Sequence, residues 1–559
     1  MQVLKKDFHS NVYFVALILM AASLPVSKFA MSVMQFVIVF LWFFADFSFG
    51  TVSTRFKKNK FFKNIISFLN YSLLLACNNF VNKFKIFFKK KAAIILTSLL
   101  LLHVIGLIYT SDYSYALKDM RIKLPLLVFP VILSTMNPIG KKKFNWVMLL
   151  FVASVLIGTF ISTHVLLKQE FTDIRKISVL ISPIRFSLNI SIAIFTLIYF
   201  IYKKGDFNIF AKILFGIIAA WLIFFQFILE SGIGIVILFT LSFLLLIYLV
   251  FNLKKIYLKI VIIGTLVLVP IVLFTYVNNI VDDYCESPQI DFNQLEKQTA
   301  LGNNYKHDTL SLGVEDGKYV GLYLSTNELR TAWNKRSSFD FDGNDQNEQL
   351  IKYTIIRFLT SKDYRKDAEG VNKLTDKEIK AIERGIANIN YIESPNLKTR
   401  ISKIILGYNN LRYSYNPNGN SIMQRIEYWK ASLGIIKQNI VFGVGTGDIR
   451  DVFQEQYEKM NSPLEIENRL RSHNQFLSIF IVFGIFGFVW FLFTLLYPPI
   501  KTKKMFEYFY FMFFVIAIVS MLTEDTIESQ AGVTFFAFFN SFFLFIIIFF
   551  LSSIMSLFS

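Results

Sequence analysis

Apolar runs of about twenty residues, separated by short polar breaks, fill most of the chain. A helix that crosses a bilayer needs roughly 20 mostly apolar residues. About twelve stretches answer to that description, near 12–28, 30–49, 92–111, 124–138, 144–167, 186–202, 209–228, 232–251, 258–277, 474–497, 506–523 and 531–554. The one at 124–138 is the shortest and carries Pro125 and Pro130. Residues 61–88 interleave apolar positions with Lys and Asn, a pattern that predicts an amphipathic helix on the membrane surface.

Between 278 and 473 the pattern changes. This stretch of 196 residues is polar, and long enough to fold as a unit of its own. Helical periodicity appears at 350–360, 376–393 and 425–439, with Ile379, Ile382, Ile386 and Ile389 spaced by three and four. The turn-forming run Tyr415 to Asn420 precedes a helix expected to start near Ser421. The chain therefore divides into an N-terminal membrane region at 1–277 with about nine spans, a loop domain at 278–473, and a C-terminal membrane region at 474–559 with three. The fold class expected is an all-α polytopic integral membrane protein of about 12 transmembrane helices, with a mostly helical extracytoplasmic cap.

Composition sharpens this. The chain is 54% hydrophobic and holds 63 Phe, yet only 17% of its residues are charged. Soluble domains run near 25% charged, so a soluble enzyme, a disordered tail and a disulfide scaffold are all excluded. The net charge of +19 invites a nucleic-acid reading, but its location does not. Residues 278–473 hold 26 Lys+Arg against 27 Asp+Glu, so the excess sits in the membrane part. With the N-terminus inside, the cytoplasmic pieces carry 23 basic residues and the short outside loops 8. That asymmetry is the positive-inside pattern and puts 278–473 outside the cytoplasmic membrane. The first apolar run reads as a retained span. Cys77 and Cys285 then fall on opposite sides of the bilayer, which excludes a disulfide between them.

The richest stretch for chemistry closes the loop domain. It runs from Arg425 and Trp429, one helical turn apart, through Gly443-Val-Gly445-Thr-Gly447-Asp448, to His473-Asn474 where the polar loop becomes a span. Gly484 and Gly487 follow a few turns on. The start of that span, with its free N–H groups, favours an anion. The two glycines permit close helix packing. The glycine turn lacks the Gly-Lys-Ser/Thr of a phosphate loop and reads as a shaping turn. Asp340-Phe-Asp342-Gly-Asn344-Asp345 looks like a calcium loop, but position six is Asp345 and position twelve is Ile351, so it reads as an exposed polar turn. Neither a metal nor any other cofactor is expected.

Taken together, these motifs resemble the O-antigen ligase family, which includes lipid-linked glycan polymerases. The resemblance covers roughly 92–545 and is strongest from Ser421 to Gly487. It implies a GT-C-like membrane glycosyltransferase of the bacterial inner membrane, with its large loop in the periplasm. The implied donor is a glycan on undecaprenyl diphosphate, and the acceptor is lipid A-core or a second glycan repeat. The implied transfer is inverting and needs no metal. His473 matches the family's loop histidine and is the candidate base. Arg425 and Arg185 match its arginines and are candidates for diphosphate contact, with Asn474 beside the base. Glu524, at an outside helix edge, is a candidate for positioning the acceptor sugar. The sequence departs from the family at Glu230-Ser231-Gly232, where Gly232 stands in place of an expected arginine.

Two rivals remain open on the sequence. A transporter or flippase of envelope glycans would depend on residues inside the spans, such as Asp46, His103 or His164, and would tolerate loss of His473. A noncatalytic component of an envelope assembly would tolerate loss of His473, Arg425 and Arg185 alike.

Overall fold

In a computed structural model of the chain, residues 2–44, 79–168, 174–285, 290–393, 397–414 and 416–546 are described. The chain separates into two units, one of residues 1–262, 428–462 and 469–559, the other of residues 263–427 and 463–468. The first contains most of the long apolar helices. Seven helices among the described residues are long and apolar enough to cross a membrane: Lys91–Tyr109, Lys141–Lys168, Pro183–Tyr202, Ile209–Ile228, Gly232–Phe251, Ile256–Tyr284 and Gln475–Lys501. The arrangement is that of a multi-pass membrane protein.

Among the described residues the expected count of about twelve is not reached by length. His9–Ser23, Lys28–Phe43, Tyr508–Thr523 and Gln530–Ile546 are apolar but shorter. The expected span at 124–138 is an 11-residue helix, Pro125–Thr135, with Pro125 in its first turn. Such a helix is about 16 Å long, half of a hydrocarbon core. The surface helix expected at 61–88 falls outside the described residues up to 78, as do Asp46 and Cys77, and residues 79–89 are helical.

Burial separates the spans by role. The most apolar part of Pro183–Tyr202 is 83% buried, and that of Ile256–Tyr284 not at all. A long apolar helix with no covered face is stable only where the solvent is itself apolar. Pro183–Tyr202 packs against Lys141–Lys168, Ile209–Ile228, Gly232–Asn252 and Tyr508–Thr523. Some of its polar groups bond to the backbone and to a neighbouring segment: Asn189 Nδ2 donates to the Arg185 carbonyl at 2.8 Å, and Ser231 Oγ to Ser187 Oγ at 2.9 Å. Four phenylalanines form one aromatic stack, in which Phe513, Phe535, Phe539 and Phe543 meet edge or face at 5.2 to 6.3 Å.

The Gln475–Lys501 helix is broken at Gly484 (φ 62°, ψ −165°). Breaking a helix frees backbone groups that hydrocarbon cannot satisfy. The glycine turn supplies the partners: Val444 N–H donates to the Ile481 carbonyl at 2.9 Å, Gly445 N–H to Val482 at 3.0 Å, and Ile485 N–H to Ile440 at 2.8 Å. Gly484 thus serves a backbone crossing. Its φ and ψ are open essentially to glycine alone, at a cost near 1–3 kcal/mol for other residues. A Cβ there would also stand 2.2 Å from the Val441 carbonyl. Gly484→Ala is expected to lower the thermal unfolding midpoint in detergent by several degrees. Gly216→Ala, where a Cβ meets nothing within 4 Å, is the matched control and is expected to leave the midpoint unchanged.

The loop unit is built on its own core of Trp333, Phe341, Ile355, Phe358, Leu359, Ile379 and Ile382. Ile351–Ser361 and Ser421–Gln438 lie where the periodicity placed helices. The helix expected at 376–393 is interrupted. A capping box of Thr375 and Glu378 starts Asp376–Glu383, Gly385 (φ 81°) follows its end, and Asn390–Glu393 is a separate turn. Two small antiparallel pairs, Lys306–Asp308 with Gly321–Leu324 and Val314–Glu315 with Lys318–Tyr319, depart from the all-α expectation. Strands of two to four residues are too short to show a period of two in sequence. In the Asp340–Asp345 turn the carboxylates are engaged by protein groups, Asp342 by Arg330 and Asp345 by Thr354 and backbone N–H groups.

Candidate active site

Asn474 caps the Gln475–Lys501 helix, its side-chain oxygen accepting from the N–H groups of Phe476 at 3.0 Å and Leu477 at 3.2 Å. Its Nδ2 donates to the Leu522 carbonyl at 2.9 Å. His473, just before the cap, has φ 46°. A left-handed histidine is uncommon and costs free energy, so its neighbours must hold it. Ser472 lies on one side, its carbonyl taking the Trp429 indole N–H at 3.1 Å, and the Asn474 cap lies on the other.

The His473 ring stacks on Tyr428, with centroids 5.5 Å apart and planes 26° apart. Its Nδ1 lies 3.2 Å from Glu524 Oε2. The His473 side chain is 29% exposed and that of Glu524 is 7% exposed. One edge of the ring is therefore fixed by a carboxylate and one face by an aromatic.

Glu524 belongs to a turn that is tied to the histidine's segment at several points. Ser478 Oγ donates to Asp525 Oδ1 at 2.7 Å. The fully buried Gln475 uses both ends of its amide, accepting from Ile527 N–H and donating to Glu528 Oε1, each at 2.8 Å. Arg185 reaches the same turn, its Nη2 donating to the Asp525 carbonyl at 3.1 Å. The side chain is buried, and Nη1 has no partner among the described residues. Gly532 makes room for it: a Cβ there would sit 3.0 Å from the guanidinium carbon.

Next to this turn is a buried ion cluster. Lys123 bonds Asp119 and, at 2.7 Å, Glu528, and Arg471 stands 3.5 Å from the same Glu528 oxygen. Burial opposes ionisation of Glu528, but the charges of Lys123 and Arg471 prevail and hold its carboxyl down to about 2. Burial likewise opposes the Lys123 ammonium, and the two carboxylates outweigh it and raise its pKa. With His103, Thr446 and Ser478 the cluster lines a cavity of about 10 Å³, room for one water at most. His103 is buried, its Nδ1 2.8 Å from the Leu99 carbonyl.

The turn Gly443 to Asp448 is fastened from outside the helix it crosses. Asp448 accepts the N–H groups of Ser111 and Asp112 at 2.8 Å and the Thr110 hydroxyl at 3.0 Å. Burial opposes its ionised form, but these hydrogen bonds outweigh it and lower its pKa.

Of the residues singled out from sequence, His473, Asn474, Glu524 and Arg185 converge on the 522–528 turn. Arg425 belongs to the loop unit, is half-buried, and donates from Nη1 to the Ser421 carbonyl at 3.0 Å. Nothing local in the sequence marks Tyr428 as a stacking partner or Gln475 as the tie to the turn. Lys123 reads in sequence as one more loop charge, since nothing local marks its burial. Glu524 was expected to face an acceptor, and the structure places it on the histidine.

No curated protein matches the chain. Residues 379–492 match the family model described as O-antigen ligase, a span that takes in Arg425, Tyr428, the glycine turn, His473, Asn474 and Gly484. Over that stretch the chain is similar to the O-antigen ligase family.

Proposed function

We propose that this protein transfers a glycan from undecaprenyl diphosphate to an acceptor hydroxyl at the outer face of the bacterial cytoplasmic membrane. The observation that carries the reading is the His473–Glu524 pair, 3.2 Å apart, with His473 at the mouth of a membrane helix and inside the segment that matches the family model. With Nδ1–H donating to Glu524, the other ring nitrogen keeps its lone pair for the acceptor hydroxyl. Glu524 then orients the ring and stabilises the imidazolium that forms.

The proposed step is a direct displacement. The acceptor oxygen bonds to the anomeric carbon and gives its proton to His473. The bond from that carbon to the phosphate oxygen breaks, and its electron pair leaves with the lipid diphosphate. One displacement inverts the anomeric configuration. The leaving diphosphate calls for fixed cations. Arg185 supports this role because, among the described residues, its buried Nη1 has no partner, a costly state that a phosphate oxygen would relieve. Arg425 is proposed as a second contact on the strength of its match to the family's loop arginine. The excess of Lys and Arg in the expected cytoplasmic loops supports placing the loop unit in the periplasm.

The test is transfer by the purified protein from an undecaprenyl-diphosphate oligosaccharide, offered lipid A-core or a second lipid-linked repeat. We expect undecaprenyl diphosphate to be released together with product on one of the two acceptors, with the new glycosidic bond of opposite configuration by NMR. Product on lipid A-core makes the protein a ligase, and product on the repeat a polymerase. Donor left intact with both acceptors would count against the reading, and retained configuration against the single displacement.

A further inference from the structure

Two guanidinium groups approach one tyrosine ring, and one of them lies two residues before His473. Arg471, two residues before the histidine, has its guanidinium carbon 5.9 Å from the centre of the Tyr115 ring. Arg450, in the second residue of the Ile449–Lys459 helix, has its own 5.6 Å from the same centre. Tyr115 lies on a third element, the Tyr113–Lys123 helix. Three separate parts of the membrane unit therefore bring two cations to one aromatic ring.

Neither arginine has its donors spent. Among the described residues Arg450 is exposed and has no hydrogen bond or ion pair. Arg471 makes no hydrogen bond among the described residues, and its ion pair with Glu528 is long, at 3.5 Å. The same Glu528 oxygen is held closer by Lys123, at 2.7 Å. Asp119 and Asp525 add to the negative field that Arg471 feels, but Asp119 is bonded to Lys123 and Asp525 to Ser478. The Tyr115 ring attracts both cations to its surroundings, so both guanidinium carbons stand within 6 Å of one ring centre, with up to ten N–H groups to offer between them. An anion with several oxygens is the ligand that fits such a pair, and each planar fork suits two oxygens of one phosphate.

We propose that Arg471 and Arg450, held around Tyr115, form a clamp for a diphosphate, one guanidinium to each phosphate. The identification of that diphosphate with the leaving group of a lipid-linked donor rests on the function proposed above. Arg185, enclosed behind Gly532 and engaged with Asp525, then acts from within the protein while the clamp acts from its open side.

Binding of inorganic diphosphate to the purified full-length protein tests this without any need for transfer. In neutral detergent, calorimetry should show binding that weakens as salt is added. Arg450→Gln and Arg471→Gln should each weaken it tenfold or more, the scale of one lost charge-assisted hydrogen bond. Arg471→Lys, which keeps the charge and loses the fork, should fall between. Arg450→Gln alters an exposed side chain, so an unchanged unfolding midpoint is expected to accompany its loss of affinity. Wild-type protein that does not bind diphosphate, or Arg450→Gln that binds it as wild type does, overturns the clamp.

Two further arms separate the sources of the anion. Diphosphate binding that survives in phosphatidylcholine nanodiscs and vanishes in phosphatidylglycerol ones assigns the clamp to bilayer headgroups and overturns the donor assignment. Binding lost in the variants while transfer by those variants stays at the wild-type rate does the same. Wild-type protein that binds diphosphate through both arginines but transfers nothing refutes the proposed function and leaves the clamp standing.

Discussion

His473→Asn should abolish most transfer, lowering kcat by about 10²–10⁴, the range that a positioned general base contributes. Asparagine is the informative replacement because His473 has φ 46°, and asparagine accepts that conformation where alanine is strained. The variant keeps the backbone between Ser472 and the Asn474 cap and removes only the ring. Glu524→Gln should cost less, about 10–100-fold, the scale seen when the partner of a functional histidine is removed. It keeps a hydrogen-bond acceptor 3.2 Å from Nδ1 but no longer offsets the charge the ring acquires. Neither change should alter donor affinity. Unchanged turnover in His473→Asn would remove the histidine from the chemistry.

Lys123→Met should be the most destabilising single change in the membrane unit, by about 3–5 kcal/mol. Lys123 is 2% exposed and bonded to both Asp119 and Glu528, and removing one partner of a buried ion pair leaves the others uncompensated. The dependence on pH distinguishes this from simple loss of packing. The Glu528 carboxyl is held down from 4.5 to about 2 in the folded protein. A depressed carboxylate contributes stability that is fully present above its unfolded pKa and is lost as pH falls through the folded one. Wild-type stability should therefore fall between about pH 4.5 and 2. In Lys123→Met the ammonium is gone, and protonation of Glu528 and Asp119 relieves a buried charge. The deficit of the variant should shrink over the same window, measured by thermal unfolding in detergent. A deficit constant with pH would mean that the cluster contributes only volume.

Much of the membrane architecture was legible in the sequence because its cause is local. A run of twenty apolar residues is a helix in a bilayer whatever its neighbours do, since its backbone has no other way to satisfy itself. That logic weakens for segments near the minimum length. The Pro125–Thr135 helix reads as a poor span and is one by length, and only its packing against the Lys91–Ile105 and Gln530–Ser541 helices explains why it is buried. Glycines were harder to read. Gly484 and Gly487 suggested helix packing, and the structure uses Gly484 to break the helix beneath the Gly443–Asp448 turn. A glycine in a sequence says that a side chain is unwelcome and does not say which backbone arrives.

The candidate site divides in the same way. His473 and Asn474 were visible because a helix start after a polar loop is a local feature with its own N-cap chemistry. The pairing of His473 with Glu524 joins residues 51 positions apart, and the ion pair of Lys123 with Glu528 joins residues 405 apart. No period or spacing encodes such contacts. Sequence by itself determined that the chain is a many-helix membrane protein with a large polar insertion and a histidine at its seam. Only the tertiary structure decided what the histidine touches, because the charge and hydrogen-bond partners that give a buried ionisable group its role come from whichever elements pack beside it.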